Sequence, residues 1–320
     1  MAADLPGVSV VVPTYERPDL LARCLAALGA QDIGLHGFEI CVADDHSGPT
    51  TAAALDDAAT RLPNLRWSRL ERNGGPGAAR NRGIALASQP VVLFVDDDVE
   101  AAPDLVRIHA QLHAGTDDRA GFVGLVDWAP DVPVTPFMRW LDTTDLQFAY
   151  RTWMQPGAVP SADQAFYTCN LSLKRAILDA AATATARPFD ERLRAYEDIE
   201  LGHRLSLLGF RLAFHPEARG GHLRGMDLAG YCRRMVVVGE NHARLAQLHP
   251  EVPYPVHAPA DGVAAWATRI AAKAGAAVAT SIAGRDVYAR HCWAEIAHAY
   301  AVGLRRGGHR DGRRREDHRG

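Results

Sequence analysis

Three groups of carboxylates stand out by type and spacing. Asp44 and Asp45 follow an apolar run at residues 38–42, Asp96-Asp97-Asp98 follow a second at 91–95, and Glu197-Asp198-Ile199-Glu200 open a helical pattern. Three adjacent carboxylates repel one another and favour no local fold. They call for something cationic or donor-rich against them, and a hard divalent ion with oxygen ligands is the usual answer. A helix N-cap with surplus acids is the competing reading, but a cap needs one Asp. The acids at 197–200 gain only about 0.3–1 kcal/mol from a helix dipole. Aimed into a cleft beside a metal-bound diphosphate, one of them could instead deprotonate an acceptor hydroxyl. His222, after Gly220-Gly221, has a ring suited to Mn²⁺ and could complete coordination begun by Asp96 and Asp98, although one His among 14 is more often ordinary surface or core.

The glycines exclude two chemistries. The turn Pro13-Thr14-Tyr15-Glu16-Arg17-Pro18 contains none, where a dinucleotide site wants G-x-G-x-x-G, so hydride transfer fails early. Gly74, Gly75 and Gly77 lack the following Gly-Lys-Ser/Thr of a P-loop. They suit a backbone turning closely past a ligand, with Arg80 and Arg82 on the next helix reading equally as diphosphate partners or as a solvated face.

The elements that must position these groups alternate. Residues 8–12, 38–42, 65–70 and 91–95 read as buried strands, and Leu20, Leu21, Cys24, Leu25 and Leu28 share one helical face behind Pro18 and Asp19. A second amphipathic helix is expected over 78–87. Strands alternating with helices predict an α/β fold with a parallel sheet and a ligand site at the carboxyl ends of its strands. Residues 127–165 hold Pro130, Pro133, Pro136, Pro156 and Pro160 together with Trp128, Trp140 and Trp153, which suggests an irregular lid or binding loop. The tryptophans could stack on sugar rings, though packed core aromatics are commoner. Regular structure is expected again as a strand at 170–173, helices at 174–182 and 198–208, a strand at 211–214, and helices at 227–248, 264–283 and 287–304.

Composition sets outer limits. The 320 residues are 48% hydrophobic and 23% charged, an ordinary globular balance with material for a sizeable core. Five scattered cysteines with no C-x-x-C pair argue against a disulfide framework or structural zinc, and fit a reducing compartment. No secretory signal or bilayer-length apolar stretch is read, so a soluble, cytoplasmic protein is expected, at most peripheral to the membrane's inner face. Residues 305–320 carry seven Arg against three acids and read as a basic disordered tail, with no nucleic-acid partner expected.

In order, Val8-Ser9-Val10-Val11-Val12-Pro13-Thr14-Tyr15-Glu16-Arg17, Val42-Ala43-Asp44-Asp45-His46-Ser47, Asn73-Gly74-Gly75-Pro76-Gly77-Ala78-Ala79-Arg80-Asn81, Phe94-Val95-Asp96-Asp97-Asp98 and Tyr196-Glu197-Asp198-Ile199-Glu200-Leu201 closely resemble the glycosyltransferase family 2 enzymes. The resemblance spans about residues 6–250. It implies the GT-A fold, a Rossmann-like, mostly parallel sheet flanked by helices, here with a helical C-terminal extension. It also implies a GT-A domain over 1–250, with a nucleotide-sugar and metal half at 1–126 and an acceptor half at 127–250, and then a helical extension at 251–304.

Carried over by resemblance, Pro13, Tyr15 and Glu16 lie under the nucleotide base, Asp44 bonds the base and Asp45 lies nearby. Asp96-Asp97-Asp98 looks like the family's D-x-D, with Asp96 and Asp98 addressing the diphosphate and its Mg²⁺ or Mn²⁺ and Asp97 reaching the ribose. Asp198 looks like the catalytic base and His222 like a metal ligand. Glu197 and Asn170 look acceptor-side, the latter in Phe166-Tyr167-Thr168-Cys169-Asn170. The implied activity is inverting, metal-assisted transfer of a sugar from a nucleoside-diphosphate sugar, UDP by the family's habit, to an acceptor hydroxyl on a glycan, lipid-linked glycan, protein or metabolite.

Processive members carry Q-x-x-R-W and membrane helices; Tyr231-Cys232-Arg233-Arg234-Met235 has no such motif, so single addition is expected. Two alternatives are a sugar nucleotidyltransferase, against which the missing G-x-G-x-R-L loop counts, and a non-catalytic nucleotide- or carbohydrate-binding module, which loss of Asp198 or the D-x-D would have favoured; both are present. Two further expectations are closure of residues 140–165 over bound donor and docking of the C-terminal helices and Arg tail at a membrane.

Overall fold

The computed structural model describes residues 5–144, 146–147, 150, 154–157, 165–182, 186–250 and 282–316, and of 282–287 and 309–316 the backbone only. Eight strands, β1 (Val8–Thr14), β2 (Phe38–Asp44), β3 (Leu65–Arg69), β4 (Val91–Val95), β5 (Val99–Ala101), β6 (Ala120–Trp128), β7 (Asn170–Lys174) and β8 (Arg211–His222), form one sheet in the order β3-β2-β1-β4-β7-β6-β8-β5. β1, β2, β3 and β4 are mutually parallel where they pair, while β7 runs antiparallel between β4 and β6. The expected parallel sheet is therefore mixed in its second half.

The parallel half follows from its residues. Every residue of β4 is buried, and of β1 all but Pro13, as expected for strands covered on both faces. The covering helices are α1 (Pro18–Gly29), α2 (Pro49–Arg61), α3 (Pro76–Leu86) and α4 (Leu105–His113), with α6 (Arg175–Ala182) and α7 (Glu197–Leu207) further along. Pro18, Pro49 and Pro76 each stand in the first turn of their helix, where a missing N–H costs nothing. α1 buries Leu21, Cys24, Leu25 and Leu28, the expected face, and each large apolar side chain so buried stabilises by about 1.5–3 kcal/mol.

The chain divides into two compact units, Met1–Val134 with Thr144–Arg192 and Glu197–Gly225, and Thr135–Thr143 with Leu193–Tyr196 and Met226–Gly320. The first holds the whole sheet. The second holds α5 (Pro136–Leu141), α8 (Leu228–Leu248) and α9 (Ile282–Glu316). α9 runs through Glu316, into the stretch expected as a disordered tail. Gly303 lets α9 approach α8 backbone to backbone, since a Cβ there would stand 2.1 Å from the Val236 oxygen. Trp140 packs edge-on to Trp293 and Phe137 lies against Tyr231, so Trp140 has ring partners inside its own unit, as the packed-aromatic reading has it.

β6 covers the start of the stretch expected as irregular, and α5 follows, capped by the Thr135 hydroxyl, which accepts from the Met138 N–H at 3.2 Å. Trp153, half of the expected lid and residues 264–281 lie outside the described residues. All five cysteines are free. Among the described residues no helix is long and apolar enough to cross a membrane.

Candidate active site

β1 and β2 end side by side, with Thr14 opposite Asp44, and the turns that follow are tied together. The Glu16 N–H donates to Ser47 Oγ at 2.9 Å, and Glu16 Oε1 accepts from the Gly48 N–H at 2.8 Å. Glu16 and His46 both sit at positive φ, 54° and 67°, local strain of the kind that gathers at functional edges. Tyr15 is 48% exposed on this rim, and Pro13 is half-buried.

The paired acids after β2 have separate employment. Asp45 accepts from the Gly74 and Gly75 N–H groups at 2.6 and 2.8 Å, and so shapes the glycine turn, where Gly75 takes φ 89° just before α3. Asp44 is fully buried. Its Oδ1 accepts from the Ser47 N–H at 2.9 Å, while Oδ2 has no hydrogen bond, only Arg69 Nε at 3.7 Å. An unspent carboxylate oxygen at the sheet's carboxyl edge is an acceptor waiting for a donor.

The triple Asp forms the turn from β4 to β5, and each member meets a different group. Asp97 is buried, accepting from Thr14 Oγ1 at 2.7 Å and Arg17 Nη1 at 3.0 Å. Burial outweighs Arg17, and Asp98 adds to it, so the Asp97 carboxyl is pushed up to about 6. Asp98 Oδ2 accepts from the same Arg17 nitrogen at 3.1 Å. Its Oδ1 faces His222 Nε2 at 3.8 Å. β8 delivers that imidazole: His222 is opposite Val99 of β5 and Trp128 of β6, and the Leu223 N–H donates to the Asp98 carbonyl. His222 Nδ1 lies 3.0 Å from the Arg224 carbonyl oxygen, and Trp128 packs edge-on to the ring.

Asp96 connects this turn to the third acidic group. Arg80, buried on α3, donates through Nη2 to Asp96 Oδ1 at 2.8 Å and through Nη1 to Glu197 Oε1 at 2.7 Å. Burial opposes its charge, yet Asp96, Glu197 and Asp198 hold its pKa above the ordinary value. Asn81 pins the approach to α7, exchanging hydrogen bonds of 2.9 Å with both the N–H and the carbonyl of Phe189. Asp198 follows Glu197 in the first turn of α7. Burial first, then neighbouring Glu197, pushes its carboxyl up to about 7, with Arg80 pulling the other way.

The structure thus brings Asp96, Asp97, Asp98, Arg80, Glu197, Asp198 and His222 into linked contacts, with Asp44 and Asp45 on the adjacent strand end. Two of the expected site residues already have protein partners. Both terminal nitrogens of Arg80 bond carboxylates and its buried Nε has no hydrogen bond, so it is not the solvated helix face that was one of its two readings. Asn170, expected on the acceptor side, is fully buried, bonding His109 Nε2 and the Leu125 and Ala218 carbonyls inside the sheet. Arg17 is the residue whose role sequence reasoning missed; the signal was the only cation in the β1–α1 turn facing three uncompensated acids. Among the described residues no three His, Cys, Asp or Glu side chains gather as a ready-made metal cluster.

Residues 9–167 match the model of the Glycosyl transferase family 2. A validoxylamine A glucosyltransferase of Streptomyces hygroscopicus subsp. jinggangensis is 31% identical over 68% of this chain and 55% of its own length. A pre-mycofactocin glycosyltransferase of Mycobacterium tuberculosis is 26% identical over 81% of this chain and 52% of its own. The chain therefore spans about half the length of these curated relatives. Among solved structures, a mannosyltransferase of Pyrobaculum calidifontis in complex with GDP-Man and Mn²⁺ covers 95% of this chain and 87% of its own, with TM-score 0.61 and 17% identity. Residues 1–349 of Staphylococcus aureus TarS in complex with UDP cover 96% of this chain and 92% of their own, with TM-score 0.55 and 18% identity. Both likenesses carry the GT-A fold.

Proposed function

The chain belongs to glycosyl transferase family 2, and we propose that it moves a sugar from a nucleoside-diphosphate sugar to an acceptor hydroxyl by a single inverting displacement. The observation that carries this reading is that Arg80 joins Asp96 of the β4–β5 turn, beside Asp98 and His222, to Glu197, whose neighbour Asp198 has its carboxyl pushed up to about 7.

Asp44 Oδ2 accepts an N–H of the base, and the exposed Tyr15 ring lies against it. Uracil is the base we favour, supported by the UDP complex of TarS. The residues present suit a divalent cation. Asp98 Oδ1 and His222 Nε2 face each other at 3.8 Å, a carboxylate oxygen and an imidazole nitrogen, both ligands that such a cation accepts. Two protein ligands suit Mg²⁺ or Mn²⁺, which take their remaining oxygens from phosphates and water. Bound there, the cation offsets the charge that develops on the leaving diphosphate.

Asp198 takes the acceptor's proton as the acceptor oxygen bonds to the anomeric carbon, and the bond to the diphosphate breaks with its electron pair leaving on the nucleotide. A base with a pKa near 7 is matched to that transfer at neutral pH. Glu197, paired with Arg80, fixes the first turn of α7 so that Asp198 stays at the site. The poised Asp198 favours a catalyst over a binding module.

The test is calorimetric titration of UDP, GDP and dTDP with and without Mn²⁺ on wild type, Asp44→Ala and Asp98→Ala, followed by nucleotide release from the matching nucleotide sugars with Asp198→Asn. Metal-dependent binding of one nucleotide, lost in Asp98→Ala, and release that falls at least a hundredfold in Asp198→Asn with binding retained, is the expected outcome. Absence of nucleotide binding in all conditions refutes the reading.

A further inference from the structure

Arg17 sits at the N-cap of α1 and spends a single nitrogen, Nη1, on both Asp97 Oδ1 at 3.0 Å and Asp98 Oδ2 at 3.1 Å. Its side chain is 38% exposed, and Nε and Nη2 make no hydrogen bond among the described residues. Asp98 is therefore shared: one oxygen holds a guanidinium, the other faces His222. A guanidinium stays charged at every working pH, so it weakens the pull of Asp98 on a second cation and repels that cation directly. The guanidinium can leave Asp98 without leaving the site, because Asp97 remains its partner and is itself held by Thr14 Oγ1. The unspent side of the guanidinium is a fork of N–H donors of the shape that grips phosphate oxygens.

We infer that Arg17 makes divalent-cation binding depend on the donor diphosphate: it occupies the D-x-D as a resident cation when the site is empty, and turns from Asp98 to the diphosphate when metal and nucleotide enter together. This rests on the donor-site reading above. Binding linkage then requires that nucleotide tighten the metal by the same factor by which metal tightens nucleotide. Removing Arg17 must raise the affinity for metal alone and shrink that common factor.

The experiment is titration of Mn²⁺ into the full chain, followed by loss of the free Mn²⁺ paramagnetic resonance signal and by calorimetry, with and without the nucleoside diphosphate that binds. Wild type, Arg17→Gln, Arg17→Lys and Asp98→Ala are compared, with unfolding in chelator as the check on fold. Arg17→Gln is expected to bind Mn²⁺ alone about tenfold more tightly, from removal of one nearby positive charge, and to lose a similar factor of metal–nucleotide coupling. Arg17→Lys keeps the charge without the fork, so its affinity for Mn²⁺ alone stays near wild type while its coupling falls. Unchanged or weaker Mn²⁺ binding in Arg17→Gln, or full coupling in Arg17→Lys, overturns the inference while leaving the donor site standing. If wild type binds neither Mn²⁺ nor nucleotide in any combination, the donor-site reading falls instead.

Discussion

Replacing Arg80 tests how Asp198, the base proposed above, is tuned. Arg80→Met removes the charge that joins Asp96 to Glu197 and opposes the upward push on Asp198. Glu197 and Arg80 are both nearly inaccessible, whereas the Asp96 side chain is 32% exposed and can rehydrate, so the loss falls mostly on the Glu197 pair. Breaking one side of such a buried pair costs about 3–5 kcal/mol of stability. The catalytic effect has a definite sign. Asp198 must be ionised to accept a proton, and its folded value of about 7 leaves it roughly half ionised at neutral pH. Without Arg80, with Glu197 and Asp96 uncompensated, its pKa rises further, by about one to two units for loss of one close opposite charge. Activity at pH 7 then falls about 5- to 50-fold, and recovers as pH is raised. The assay is nucleotide release as a function of pH. Wild type shows an acidic limb with its midpoint near 7, and Arg80→Met shows the limb displaced upward. Arg80→Lys, which keeps the charge, lies between the two and covers the case in which the methionine variant does not fold. An unmoved limb with uniformly lower activity would refute the reasoning, because Arg80 would then be a packing element only.

Other expectations concern stability as well as activity. His109 and His113, buried around the Ser172 hydroxyl, are pushed down to about 4 and about 3 by burial. The unfolded chain takes up these protons below about 6.5 and the native one does not, so stability is lost as pH falls from 6.5 toward 4, about 1.4 kcal/mol per His by pH 5.5. Urea unfolding at pH 7 and 5.5 measures it, and the His109→Gln/His113→Gln pair should show a flatter dependence. Gly303→Leu puts side-chain atoms where the Val236 carbonyl stands, and is expected to cost at least 3 kcal/mol within the α8–α9 pair, read as a thermal transition lowered by several degrees. Asp44→Ala should weaken nucleotide binding about tenfold or more while leaving the Mn²⁺ dependence of what remains intact; equal affinity would remove Asp44 from the base pocket.

The parallel half of the sheet was legible because its strands are apolar runs and its first helix begins at Pro18 with one apolar face. The acids were legible because they follow such runs, where an α/β sheet gathers its ligands. What escaped was non-local. Arg80 reads as a surface or phosphate-facing residue until Glu197, far along the chain, is found against it. Asn170 reads as a site polar residue because its burial depends on His109 of α4 and on the β6 and β8 carbonyls, none of them neighbours in sequence. α2 buries only Thr51, Leu55 and Ala58, too thin a stripe to announce itself. β5 is three residues long and has no pattern of its own until β8 supplies a partner.

That short strand has a consequence for how the molecule is made. Val95 closes β4 and Val99 opens β5, yet the two are separated in the sheet by β7, β6 and β8. β1 to β4 are contiguous in sequence and can assemble from local contacts as the chain leaves the ribosome, while β5 must wait until residues 220–222 have been synthesised to pair with it. The turn that carries Asp96, Asp97 and Asp98 spans that gap in time. A nascent chain halted before β8 would hold β1 to β4 in place with the acidic turn still unpaired on its β5 side.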